Sequence, residues 1–269
     1  MRHVSEKVKI LNIEIDNFYK AELLTNLKRG VVFTPNIDHL VKLQKDEEFY
    51  QIYQRADYKV CDSRILILKS RLGLLPQIKE QIAGSDLFPD FCDFHREHDN
   101  IKIFLLGGSS PESLQAATDN INRRVGREII VGGYSPPFGF EADEAQTEDI
   151  IARIRHSGAN VLAVGVGAPK QEKWIMKYKH QLPSIDLFFA IGATIEFEAG
   201  TVKRSPALLT KLGLEWAYRI YKEPLRLWKR YLVYDLPIFA MVIRQRLGIY
   251  QDPWVAEAPS VRKSIPVEA

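Results

Sequence analysis

The stretch Val161-Leu162-Ala163-Val164-Gly165-Val166-Gly167-Ala168-Pro169-Lys170-Gln171-Glu172-Lys173-Trp174 passes from an apolar run through two glycines and a proline into a charged segment. It reads as a buried strand, a Gly-rich turn and a helix start. The glycines leave backbone open to a ligand, and Pro169 suits a first helical turn. Lys170, Gln171 and Glu172 put charge and hydrogen-bonding groups at the mouth of the turn. A packed turn with solvated polar residues is the alternative reading of this segment alone.

Outward from it, apolar runs alternate with amphipathic stretches. Val31 to Thr34, Tyr58 to Cys61, Ile101 to Leu106, Glu128 to Val131, Asn160 to Val164 and Ile185 to Ile191 read as short strands. Helical patterns fall near 37–56, 86–98, 111–124, 142–156 and 170–180. This order predicts an α/β, Rossmann-like fold, with a mainly parallel sheet covered by helices on both faces. Leu11-Asn12-Ile13-Glu14-Ile15 alternates instead and reads as a small edge strand or ribbon.

In such sheets the ligand sits beyond the carboxyl ends of the strands. The residues there are Thr34-Pro35-Asn36-Ile37-Asp38-His39, Asp62-Ser63, Gly107-Gly108-Ser109-Ser110, Gly165 to Glu172, and Gly192-Ala193-Thr194. Asn36, Asp62 or Ser63, Ser109 or Ser110, and Thr194 each suit a helix N-cap. Five such sites along one sheet edge are better explained by a crevice. Asp62 is the candidate general base, because the apolar residues before it would raise a carboxylate pKa. Asp38 and His39 are alternatives, with a packed or surface imidazole as the ordinary fate of a lone histidine. No His/Cys cluster has metal-ligand spacing, and Glu196-Phe197-Glu198 reads as decoration of one helical turn.

The chain has 269 residues, 46% of them hydrophobic and 26% charged, enough for a large core. Two cysteines, Cys61 and Cys92, and an N-terminus without an apolar core segment predict a reduced, cytoplasmic protein with neither disulfide nor signal peptide. Cys61 as a nucleophile is weighed against an ordinary buried thiol. The net charge is only +3, but Lys203 to Arg246 holds ten Lys and Arg against three acidic residues. Its partner should be anionic. Three units follow: an α/β core over 1–200, a basic helical appendage over 201–248, and a disordered tail over 249–269 with Pro253, Pro259 and Pro266. Tyr231 to Ile243 is apolar and aromatic, too short to span a bilayer and interrupted by Asp235 and Pro237. Its basic flanks suit docking on an anionic membrane surface, with a helix packed on the core or on another subunit as the alternative.

Several motifs together resemble one family. They are Thr34-Pro35-Asn36, Asp62, Ala83-Gly84-Ser85-Asp86-Leu87, Leu105-Leu106-Gly107-Gly108, Gly165 to Glu172 and Ala190-Ile191-Gly192-Ala193. They continue through Glu215-Trp216-Ala217-Tyr218-Arg219 to Glu223-Pro224, Arg226, Trp228 and Arg230-Tyr231. In this order, over roughly Val8 to Arg246, the chain is similar to the WecG/TagA/CpsF glycosyltransferases. The resemblance implies inverting transfer of a sugar from a UDP-sugar to a polyprenyl-diphosphate-linked saccharide at the cytoplasmic membrane face, in surface-polymer synthesis.

It further implies Asp62 as the base with Thr34 and Asn36 beside it. Substrate-binding residues would be Gly84, Ser85, Asp86, Gly107, Gly108, Gly165, Gly167, Pro169, Lys170, Gln171, Glu172 and Gly192, with the Gly165 to Glu172 loop holding the nucleotide sugar. Arg219, Arg226 and Arg230 would meet the diphosphate, without a metal or other cofactor. The expected partners are the donor, the lipid-linked acceptor and the anionic membrane, with room for a homo-oligomer. The chain departs from the family pattern at two positions. Ser63 follows the aspartate in place of Gly, and Gln81 stands before the Ala83 run in place of Arg. Ser63 tolerates a positive φ poorly, which predicts a different backbone there.

Three other classes fit less well. A dinucleotide-dependent oxidoreductase would carry three spaced glycines after an early strand, and here Gly165 and Gly167 come late without a third. A non-catalytic nucleotide-sugar-binding member of the family would need neither aligned base nor basic appendage. Nucleic-acid binding lacks a reader motif.

Overall fold

The computed structural model describes residues 6–202 and 237–255. A hairpin of β1 (Lys7–Ile10) and β2 (Ile13–Asp16) forms a separate two-stranded antiparallel sheet, the ribbon expected around Ile13. The main sheet has six strands: β3 (Gly30–Phe33), β4 (Tyr58–Lys59), β5 (Ile103–Gly107), β6 (Ile130–Tyr134), β7 (Val161–Gly165) and β8 (Leu187–Ala190). Their order is β4-β3-β8-β7-β5-β6, and every pairing is parallel. The predicted Rossmann-like α/β architecture is the one observed.

Strand side chains alternate between two cores, which is why these runs are apolar throughout. Val31, Phe33, Phe104, Leu106, Leu162, Val164 and Phe188 face one core, shared with the hairpin. Val32, Ile103, Leu105, Val161, Ala163, Leu187 and Phe189 face the other. The helices between strands are α1 (Lys20–Asn26), α2 (Ile37–Leu43), α3 (Glu47–Gln54), α4 (Arg64–Arg71), α5 (Gly84–Phe94), α6 (Pro111–Val125), α7 (Glu144–His156) and α8 (Lys170–Tyr178); α9 (Thr194–Ala199) follows β8. The single pattern near 37–56 is two helices, because Asp46 stops the first and N-caps the second, accepting from Phe49 N–H. Helices α1 and α4 were not among the predicted stretches.

From β5 the chain moves outward to β6, while from β7 it moves the other way to β8. Their carboxyl ends therefore flank a topological switch point, where crossovers leave a crevice.

The C-terminal helix α10 (Pro237–Arg246) corrects part of the membrane-docking expectation for Tyr231 to Ile243. Ile238 and Val242 are buried in the hairpin-side core, Lys69 Nζ lies 4.4 Å from the Phe239 ring centre, and Gln245 bonds the Leu11 N–H and Lys9 carbonyl at 2.8 and 3.0 Å. Over 237–243 the packed-helix alternative holds for that face; Ile243, Leu247 and Ile249 point outward. Residues 231–236 lie outside the described residues, as do Arg219, Arg226 and Arg230. The start of the expected disordered tail is instead held in place. Tyr250 donates to Gln44 at 2.6 Å and Trp254 to the Leu43 carbonyl at 2.7 Å, and half-buried aromatic rings whose polar tips are bonded resist fraying.

Candidate functional site

The strand ends at the switch point pack backbone against backbone. Gly107 and Gly165 are in register. A Cβ on Gly107 would lie 2.4 Å from the Gly165 carbonyl oxygen, and one on Gly165 would lie 2.7 Å from that of Gly192. At Gly107 and Gly165 the missing Cβ is thus accounted for by close strand-end packing. Gly167 differs, with φ +85 and nothing within 4 Å of the place a Cβ would take, so it is present for its left-handed backbone.

Beyond this floor, the Thr34–Asn36 loop, Asp62 and the start of α5 come together. Asp62 N–H donates to the Pro35 carbonyl at 3.0 Å, and Ile82 N–H donates to that of Cys61 at 2.8 Å. A Cβ on Gly84 would sit 3.0 Å from Thr34 Oγ1, so Gly84 lets the first turn of α5, with Ser85 and Asp86, close against the loop. Asn36 caps α2 by accepting from His39 N–H at 3.2 Å, Ser63 caps α4 from Leu66, and Ser110 caps α6 from Ser113. Ser63 has φ −142, an extended backbone that serine adopts without strain. Thr194, expected as a cap, is buried and bonds back to the Ile191 carbonyl. Pro169 stands one place earlier than expected, as the N-cap position of α8.

Gln171 and Glu172, expected to put hydrogen-bonding groups at the mouth of the turn, are both buried. Gln171 Oε1 accepts from the N–H groups of Gly167 at 3.2 Å and Gly192 at 3.0 Å, and its Nε2 donates to Glu172 Oε1 at 2.8 Å. Glu172 Oε2 has no hydrogen-bond partner among the described residues. Burial pushes the Glu172 carboxyl up to about 7, opposed by the Gln171 hydrogen bond and the Lys42 charge and assisted by Asp38.

Beneath the crevice, Tyr53 Oη and His39 Nδ1 share a 2.6 Å hydrogen bond, and His39 packs edge-on to Phe49. His39 is thus a packed imidazole. The Tyr53 phenol is held well above its ordinary pKa, first by burial and then by the charges of Glu172, Asp62 and Asp38, so it stays protonated. One hydroxyl thus feels the candidate base and the buried carboxyl together. Asp38 is paired with Lys42, whose Nζ also donates to the Ala168 carbonyl at 3.3 Å. Tyr53 and Lys42 went unnoticed in the sequence, where both fit helical patterns.

At the crevice mouth, Lys170 pairs with Glu141 and lies 4.2 Å from the ring centre of Phe138, which is 98% exposed. Glu198, expected to decorate its helical turn, has a nearly buried side chain that pairs with Arg124 on α6. The Cys61 thiol is buried and pushed up to about 12, which removes it as a nucleophile at neutral pH. Among the described residues, no three His, Cys, Asp or Glu side chains group so as to hold a metal ion, and no helix is long and apolar enough to cross a membrane.

The arrangement sets Asp62, the candidate base, beside the Thr34–Asn36 loop, with the Glu172 carboxyl buried and pushed up to about 7 by that burial, and Lys170 at the start of α8. A profile of the glycosyl transferase WecG/TagA/CpsF family matches residues 8–252, from the hairpin to the turn after α10, and the chain belongs to that family.

Proposed function

We propose that the protein is an inverting, UDP-sugar-dependent hexosyltransferase acting on a polyprenyl-diphosphate-linked saccharide in cell-surface polysaccharide synthesis. The observation that carries the reading is the meeting of Asp62, the Thr34–Asn36 loop and Gly84 at the switch-point edge, in a chain whose family profile spans nearly all of the described body. In the proposed step the acceptor hydroxyl oxygen attacks the anomeric carbon as the bond to UDP breaks. Asp62 takes the hydroxyl proton, and UDP leaves with the bonding electron pair. Cations stabilise the departing diphosphate: Lys170 at the mouth, and Arg219, Arg226 and Arg230 from the appendage. No metal takes part in this reading.

The acceptor would be met at the inner face of the cytoplasmic membrane, with the protein peripheral to it. The outward Ile243, Leu247 and Ile249, beside Arg244 and Arg246, support docking on anionic lipid.

The test is UDP release from a panel of UDP-sugars with a short-chain polyprenyl-diphosphate-saccharide, for wild type and Asp62→Asn, with and without EDTA. Acceptor-dependent release that survives EDTA and collapses in the variant is the expected result. Donor binding without turnover on any acceptor would favour the non-catalytic, nucleotide-sugar-binding alternative.

A further inference from the structure

Gln171 and Glu172 are consecutive on α8, and both are buried at the junction of the loops that follow β7 and β8. The bonds to Gly167 and Gly192 require the Gln171 amide to present its oxygen, since the reversed amide would set two donors against two donors. Glu172 Oε1, accepting from Nε2, selects that orientation. Gly167 has no packing neighbour within 4 Å of where a Cβ would stand, so side-chain packing on that residue does not hold its turn. The strut through Gln171 ties it to the Gly192 loop, beside the Gln171 N–H on the Gly167 carbonyl at 3.1 Å and Lys42 Nζ on that of Ala168.

We propose that Glu172 is a positioning residue that acts through Gln171 to hold the Gly167 and Gly192 loops in one fixed frame around the crevice. A fully buried carboxylate with one unpartnered oxygen is a costly way to fill space, and an apolar residue would pack there at lower cost. What a carboxylate supplies is an oxygen that only accepts. A proton taken on Oε2 leaves Oε1 free to hold Nε2, so the orientation survives titration. The groups facing it are Asp38 and Lys42 from α2, Tyr53 from α3 and Gln171 from its own helix. The consequence for donor binding rests on the nucleotide-sugar reading above; the loop frame itself does not.

Amide hydrogen exchange over residues 165–171 and 191–195, measured without ligand on the full chain, tests the frame. Donor KM and kcat test its consequence. Glu172→Leu is expected to speed exchange in both loops by about tenfold, the loss expected for one buried hydrogen bond, and to raise donor KM more than it lowers kcat. Glu172→Gln, which keeps an accepting oxygen, is expected to restore most of both. Should Glu172→Leu fail to fold, Gln171→Met removes the strut while leaving the carboxylate and must loosen the same two loops. Unchanged exchange in the strut-breaking variants overturns the proposal, as does Glu172→Gln exchanging as fast as Glu172→Leu. Loosened loops with no UDP-sugar turnover in any variant would sustain the frame and overturn the donor reading instead.

Discussion

The two ends of the same six strands are built differently. At the amino ends the polar groups are stitched together. Asn160 accepts from Lys102 N–H at 2.9 Å and donates to the Asn100 carbonyl at 2.8 Å, Gly30 N–H donates to the Asp186 carbonyl, and Arg127 reaches the carbonyls of His95, Arg96, His98 and Ile101. A cavity of about 450 Å³ lies there, lined by Leu24, Leu27, Phe91, Phe94 and His95, among others. The carboxyl ends are marked instead by the glycine contacts, the buried carboxyl near 7 and its unpartnered oxygen. The size of a hollow is therefore a poor guide to the chemistry here. Unmatched polar groups and backbone brought into direct contact are a better one. The amino end has one exception, His95, whose two ring nitrogens are buried without hydrogen-bond partners among the described residues.

The sharpest way to break this contrast is catalytic. Asp62→Asn at the carboxyl end should lower acceptor-dependent kcat by about 100-fold to 10,000-fold, the range for loss of a general base, while His98→Ala at the amino end stays within about twofold. Comparable losses in both would dissolve the distinction. Next comes backbone contact. Gly107→Ala forces a Cβ into a neighbouring carbonyl at positive φ and should cost roughly 3 kcal/mol or more in denaturant unfolding. Gly158→Ala has positive φ but open space, and should cost only about 1 kcal/mol.

The pH dependence of stability should then have opposite signs at the two ends. Glu172 has its folded pKa raised from 4.5 to about 7, so the folded state holds the extra proton between those values. Its contribution falls as pH rises through that window, by about 3 kcal/mol in all, and Glu172→Gln should remove this slope from urea midpoints measured between pH 4.5 and 8. His95 has its folded pKa lowered from 6.5 to about 4 by burial, then by His98 and Arg127, so the unfolded state holds the extra proton. Its contribution is present above 6.5 and lost as pH falls toward 4. Because that residue is only partly buried, solvent screening makes this the smallest of the four effects. Replacing it by Phe should flatten only the acid side of the curve.

Most of the sheet was legible because a strand buried on both faces needs an uninterrupted apolar run, as Leu162 to Val164 and Phe188 to Ala190 have. Helix α4 was not, because Arg64-Ile65-Leu66-Ile67-Leu68 mixes strand-forming residues with a helical burial pattern fixed only by tertiary contacts. At the site, spacing identified Thr34, Asn36 and Asp62 as residues beyond strand ends. It did not reveal that Gln171 and Glu172 are buried, because a polar pair in a Gly-rich turn looks the same whether it faces solvent or braces two loops. Only the partner atoms, Gly167 N and Gly192 N, tell the two apart. Tyr53 was invisible for a related reason: beside Phe49 and Ile52 it counts as one more apolar position, and its hydroxyl matters only once folded against His39.

The hooks that fasten α10 and the turn after it, Gln245 on the hairpin backbone and Trp254 on the Leu43 carbonyl, have a consequence for the segment between 203 and 236. With Val202 following α9 and Pro237 opening α10, that segment is tethered to the body at both ends. The arginines of that segment are thus joined covalently to the crevice-bearing body on both sides. Cutting the chain just before Pro237 would leave those arginines joined to the body on one side only.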